Sequence, residues 1–180
     1  MPDHLYTTDV AEVSRSIAQF GYHLDGIVGY VYSTSLPETV PLFRAFNPTT
    51  GDHFYTTDEA EYRRATTQHG YQAEGPAAHV YSPKQAEAES LAARIYGSNQ
   101  VGRAEGTAVH VYSPTQVGKV TLFRAYNPQT GDHFYTTDEA EYRRAITQED
   151  YQAEGTAAYI YDLATAPEKT IAFYRLWNGS

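Results

Sequence analysis

The chain of 180 residues has no cysteine, one Met and one Trp. It also has no apolar run near the ~18 residues that a membrane-spanning helix needs. The missing cysteine excludes a disulfide scaffold, a thiolate zinc site and a cysteine nucleophile, and leaves the redox compartment open. Positive charge is scarce: 13 Lys and Arg stand against 22 Asp and Glu, a formal net charge of −9, with no basic stripe. Phosphate recognition draws its affinity from clustered Lys and Arg, so nucleic acid and anionic membrane surfaces are excluded as partners. Met1-Pro2-Asp3-His4 opens neither a signal peptide nor a transit peptide. The expectation is a soluble protein, cytoplasmic or secreted without a visible signal peptide, with no membrane insertion. Gly-rich phosphate loops, G-x-S-x-G and H-E-x-x-H are absent as well.

What the chain has is tyrosine, 17 residues of it, and tyrosine presents both an apolar ring and a hydroxyl. It also has repeats. Residues 51–65, GDHFYTTDEAEYRRA, recur identically at 131–145, and a diverged copy, DHLYTTDVAEVSRSIAQFGY, opens the chain at Asp3. A second element follows each copy: LDGIVGYVYS from Leu24, AEGPAAHVYS from Ala73 and AEGTAAYIYD from Ala153. A fourth copy, AEGTAVHVYS from Ala104, lacks the DHFYTT part. A third element with a central Arg occurs at LFRAFN (Leu42), LAARIYG (Leu91), LFRAYN (Leu122) and FYRLWN (Phe173). The chain is thus one repeat domain, 1–180, with units at about 1–41, 42–90, 91–121 (shortened) and 122–172. Residues 173–180 close onto the first unit, because the C-terminus supplies the strand that the N-terminus lacks and so removes an exposed sheet edge.

Each unit reads as strand, turn, strand, helix and a two-stranded AEG-type hairpin. Asn127-Pro128-Gln129-Thr130-Gly131 is turn chemistry, with Pro fixing φ and Gly supplying positive φ. Asp9, Asp58 and Asp138 each precede a helical stretch and each has Glu three residues on, a capping-box variant. Val10, Val13 and Ile17 form the expected core face of the first helix, and Gly21 and Gly70 sit where a left-handed C-terminal residue belongs. The fold class is mainly β with short helices in a closed pseudo-symmetric array. Four strand-Arg elements point to a small four-fold β-propeller, and three DHxYTT copies point to the alternative, a β-trefoil of four-stranded units.

The pattern (L/F)-(F/Y)-R-x-(F/Y/W)-N-P-x-T-G-D-H-F-Y-T-T, followed about twenty residues later by G-Y-x-x-E-G-x-x-x-x-(V/I)-Y, covers nearly the whole chain. It resembles a repeat family of unknown function found in bacterial cell-wall-associated and fungal proteins. The resemblance implies a lectin-like, surface-binding accessory of fungal or bacterial type, without catalytic residues to carry over.

The Asp-His pairs Asp3/His4, Asp52/His53 and Asp132/His133 admit two readings. Neighbours in a strand point to opposite faces, so Asp could cap the turn while His packs beneath a tyrosine, or one of them could bind a ligand in every unit. Near-identical copies argue against catalysis, which needs one asymmetric site, and the pairs lack the local spacing of metal loops. Of each aromatic pair, Phe54-Tyr55, Phe134-Tyr135 and Leu5-Tyr6, one member is expected in the core and the other as a platform for sugar rings. Arg44, Arg94, Arg124 and Arg175 each need a partner, and Asp25, Glu74, Glu105 and Glu154 are the candidates. Trp177 is read as core, near the closure. The resulting expectation is a non-enzymatic, multivalent lectin for glycans or glycoproteins, without metal or cofactor. Repetition would serve avidity, and oligomerisation stays open. The ligand-binding residues would be Asp52, His53 and Tyr55 with Asn47, then Asp132, His133 and Tyr135 with Asn127, and Asp3, His4 and Tyr6 with Asn178. A protein-interaction scaffold is the alternative, and a glycoside hydrolase, with two carboxylates on one cleft, the third reading.

Overall fold

A computed structural model describes residues 2–84 and 118–179. The elements are β1 (Asp3–Thr7), α1 (Val10–Phe20), β2 (His23–Tyr32), β3 (Val40–Phe46), β4 (His53–Thr56), α2 (Glu59–Gln68), β5 (Gln72–Val80), β6 (Lys119–Tyr126), β7 (His133–Thr136), α3 (Glu139–Gln148), β8 (Gln152–Tyr161) and β9 (Thr170–Asn178). They form three units of three strands and one helix: β9-β1-α1-β2, β3-β4-α2-β5 and β6-β7-α3-β8. The first is assembled from both chain ends, since β1 pairs antiparallel with β9, Asp3 opposite Asn178 through Thr7 opposite Tyr174. β9 thereby supplies a strand neighbour to β1 in the first unit. Arg94, Glu105 and most of the shortened unit at 91–121 lie outside the described residues, while Lys119–Thr121 open β6.

Among the described residues no closed four-bladed propeller forms. Their ladder is one open antiparallel sheet of nine strands, ordered β4-β3-β5-β2-β8-β6-β7, with β9 joining β1 to β2. Three units match the count of the trefoil alternative, yet each contributes three strands and a helix instead of four strands. The difference lies in the AEG-type element, which is one long strand and no hairpin. Its glycine bends the strand: Gly26, Gly75 and Gly155 have φ of 145°, 85° and 84°, and register shifts beside each mark bulges. Each long strand carries two bulges, one skipping Asp25, Glu74 or Glu154 and one skipping Val28, Ala77 or Ala157.

The helices begin as expected. Asp9, Asp58 and Asp138 accept hydrogen bonds from first-turn amides, each a cap worth about 1 kcal/mol. Gly21 and Gly70 take left-handed conformations at φ 73° and 78°. The third unit uses Asp150 at φ 61° where the second has Gly70. The core face of α1 departs from expectation. Val13 is buried, but Val10 and Ile17 are 61% and 44% exposed, because the helix touches its sheet along a narrow seam.

Side chains close the ring that the ladder leaves open. The hydroxyls of Thr8, Thr57 and Thr137 donate to the carbonyls of Ala77, Ala157 and Val28 in the next unit. These are the residues at the second bulge, whose carbonyls the bulge frees from the ladder. On one end of the molecule Tyr32, Tyr81 and Tyr161 meet edge to face at 5.9–6.4 Å.

Candidate functional site

Tyr6, Tyr55 and Tyr135, expected as sugar platforms, are 0%, 1% and 1% exposed. Their rings meet edge to face at 5.3–5.5 Å, and each hydroxyl is bound into a neighbour's backbone. Tyr55 Oη accepts from the Tyr6 amide at 2.9 Å and donates to the Tyr6 carbonyl at 2.7 Å. Tyr135 does the same for Tyr55, and Tyr6 for Tyr135. Burial pushes all three phenol pKa values well above normal, so they stay neutral donors. None has a face to offer a ligand. The expectation that one residue of each aromatic pair faces outward fails too, since Leu5, Phe54 and Phe134 are 3–6% exposed. These short strands are covered on both faces, by the three tyrosines on one side and the unit's own helix on the other.

The Asp-His motifs come together across units. Each Asp clasps the His of the following unit: Asp3 Oδ1 and Oδ2 accept from the His53 amide and Nδ1 at 2.8 and 2.6 Å. Asp52 holds His133 and Asp132 holds His4 in the same way. Tyr22, Tyr71 and Tyr151 donate to Asp3, Asp52 and Asp132 as well. Asp therefore does not cap its own turn. Burial would raise the Asp132 carboxyl pKa, but the hydrogen bonds and charge of His4 outweigh it and hold the group below its ordinary value. An ionised carboxylate only accepts, so His4 is held with its proton on Nδ1. In each pair this geometry leaves Nε2 as the nitrogen not facing the Asp. The three carboxylates can each bring an oxygen within 4.8 Å of the other two, which makes them the acidic cluster with cation-like spacing among the described residues. Their oxygens already accept three donors apiece.

Asn47 and Asn127 are consumed by their turns. Each Oδ1 accepts two amides of the turn, and each Nδ2 donates to the end of the unit's helix, at His69 and Glu149. Asn178 Nδ2 donates likewise to the Phe20 carbonyl. The strand arginines find the predicted acids, Arg44 with Glu74, Arg124 with Glu154 and Arg175 with Asp25, at 2.7–2.8 Å. Each acid sits at the first bulge, which turns its side chain toward the Arg. A second partner comes from the preceding unit. Glu12, Glu61 and Glu141, expected to close capping boxes, grip Arg44, Arg124 and Arg175 with bidentate bonds. Burial would raise the pKa of these three carboxyls, but the arginine bonds, a threonine hydroxyl and the arginine charge together hold it below the ordinary value.

What remains outward is a row that the motif reading passed over. Phe46 lies 4.7 Å from the His53 ring, Tyr126 4.6 Å from His133, and Trp177 6.3 Å from His4. Trp177, expected in the core, is 41% exposed, and Phe46 and Tyr126 are half-buried. Each junction between units thus shows an aromatic ring beside an Asp-held imidazole, and at the second the bulge acid is close by. His133 Nε2 is 3.8 Å from Glu154. At the first junction these groups line a cleft of about 580 Å³ whose walls include Phe20, Phe46, His53, Glu12, Glu74 and Arg15. That volume lies within the range of small-molecule sites.

The family model described as Domain of unknown function (DUF5648) matches residues 1–103 and again residues 77–180. The chain belongs to that family. The two matches together span all three units, and the strand that completes the first unit, β9, falls in the second match. No curated protein and no solved structure matches the chain. None of the described helices is long and apolar enough to cross a membrane.

A signal for the outer row was present in the sequence. The residue before the asparagine that ends the strand-Arg element is aromatic in every complete unit, Phe46, Tyr126 and Trp177. It belongs to the strand-Arg element, one register step from the apolar residue that packs inward, Ala45, Ala125 or Leu176, all 0% exposed.

Proposed function

We propose that this DUF5648 protein is a non-enzymatic, multivalent carbohydrate-binding protein of lectin type, engaging glycans or glycoproteins at the three junctions between units. The observation that carries the reading is the recurrence, at each junction, of a solvent-facing aromatic ring against an Asp-oriented histidine: Phe46 with His53, Tyr126 with His133 and Trp177 with His4. A sugar ring lays its C–H face on an aromatic ring, and imidazole and carboxylate serve its hydroxyls. The Asp and Tyr residues of the DHFYTT motif build the scaffold under these sites. Carboxylates are plentiful there, but a glycosidase needs one of them held protonated. Glu12, on the first cleft, is instead held ionised by Arg44.

One observation favours a protein partner as the second reading. The first unit exposes Val10, Ile17, Phe20, Leu24 and Ile27 at 44–63%, where α2 and α3 present charged residues at their start, Glu59 and Glu139.

A glycan array with multivalent presentation tests the proposal, using the whole chain and a Phe46→Ala/Tyr126→Ala/Trp177→Ala variant. Binding by the parent that is lost in the variant, with the variant's thermal transition retained, supports it. An array without any bound glycan rejects it, as does undiminished binding by the folded triple variant.

A further inference from the structure

The three junctions share a plan but differ at one wall. The residue at the end of each helix has its carbonyl held by the asparagine of the same unit's strand-Arg element: Phe20 by Asn178, His69 by Asn47 and Glu149 by Asn127. These three are therefore equivalent, and the wall is apolar at the first junction only. Phe20 is 63% exposed and lines the first cleft together with Phe46, Leu5 and Pro48. Glu12, Glu74 and Arg15 are among the polar groups that line it as well. A sugar bearing only hydroxyls would satisfy the polar groups and Phe46 while leaving Phe20 against water.

We propose that this cleft takes a saccharide with an apolar acyl substituent, of N-acetylhexosamine class, whose methyl group packs on Phe20 while its ring lies on Phe46. This rests on the carbohydrate reading above. The acyl amide also suits the remaining groups, since its carbonyl can accept from Arg15 and its N–H can donate to a carboxylate. Arg44 holds both Glu12 and Glu74, at 2.9 and 2.8 Å, so the cleft offers acceptors whose charge is compensated. A neutral ligand fits such a cleft better than a cationic one. At the second and third junctions His69 and Glu149 offer the acyl methyl no apolar contact. Specificity for the substituent should therefore be a property of the first junction.

The test is an amide chemical-shift titration of the whole labelled chain with N-acetylglucosamine, glucosamine and glucose. Burial of one methyl group is worth about fourfold in affinity. The expected result is at least that preference for the acetylated sugar over both others, with shifts centred on 15–24 and 46–53. Phe20→His, which installs the second unit's residue at an exposed position, should abolish the preference and leave the free-state spectrum elsewhere unchanged. His69→Phe should create it at the second junction. Equal affinity for the three sugars, tighter binding of glucosamine, or a preference that survives Phe20→His overturns the inference while the carbohydrate reading stands. Failure of all three sugars to bind, on an array-negative protein, removes both.

Discussion

Two rows of aromatic side chains circle this molecule, and they have opposite fates. Tyr6, Tyr55 and Tyr135 lie inside, each less than 2% exposed and hydrogen-bonded at the hydroxyl to a neighbour's backbone. Phe46, Tyr126 and Trp177 lie outside, each beside a histidine on the junction between units. The inner row sits in the longest repeated motif, and the outer row in the shorter strand-Arg element. A motif repeated at length in a ring of units is as much a specification of how the units interlock as of what they bind. The tyrosine hydroxyl satisfies one amide and one carbonyl of the preceding unit, a task that ordinary ladder pairing cannot perform where the sheet is open.

The largest effect should come from breaking the inner row. Tyr55→Phe keeps the ring but strands the Tyr6 amide and carbonyl in a dry interior, and should cost about 3 kcal/mol of unfolding free energy in chemical denaturation. A cost under about 1 kcal/mol would mean that the hydroxyl ring is dispensable. Next comes the belt between the rows. Arg124→Gln removes the cation from Glu61 and Glu154. These carboxylates are part-exposed, so water compensates in part and the expected loss is about 2 kcal/mol. A smaller and graded effect is expected from acid. Glu12, Glu61, Glu141 and Asp132 have pKa values below normal in the folded chain. Their contribution is present above the unfolded carboxylate range, near pH 4, and disappears as pH falls through the folded values. Thermal midpoints should hold steady at neutral pH and decline below about pH 4; an unchanged midpoint down to pH 3 would contradict this. Least affected should be the stability of outer-row variants. Phe46→Ala should shift unfolding by less than about 1 kcal/mol and show its effect in ligand binding.

Much of the framework was legible in the chain itself. Internal identity marked the units, the C-terminal FYRLWN marked the closure onto the first one, and each Asp before a helix marked a cap. The pairing of Arg44, Arg124 and Arg175 with the bulge acids was legible too, because a cation between apolar residues needs a partner. Other features were hidden for a physical reason. Glu three residues after a capping Asp normally serves its own helix, and here an arginine from the next unit, reaching from a different sheet segment, offers the stronger partner. The AEG element looked like a hairpin because glycine between β-formers signals a turn, whereas a positive-φ residue in a continuous strand makes a bulge instead.

The candidate site shows the same division. Sequence selected its residue types, Asp, His and aromatics in each unit, but grouped them within one unit and took the aromatic from the DHFYTT strand, where it is buried. Alternation along a strand assigns residues to two faces without saying what covers either face. In this molecule a helix covers one face of β1, β4 and β7 and two sister strands cover the other, so Leu5, Phe54, Phe134 and the tyrosines beside them are all enclosed. Sequence by itself determined the units, their order, the joined ends and the helix starts, since these follow from local chemistry and repetition. Only the tertiary structure decided that Asp of one unit holds His of the next, because that depends on contacts between segments about 50 to 130 residues apart, and that the exposed aromatic row lies one strand away, because burial of the tyrosines is set by the packing of three units together.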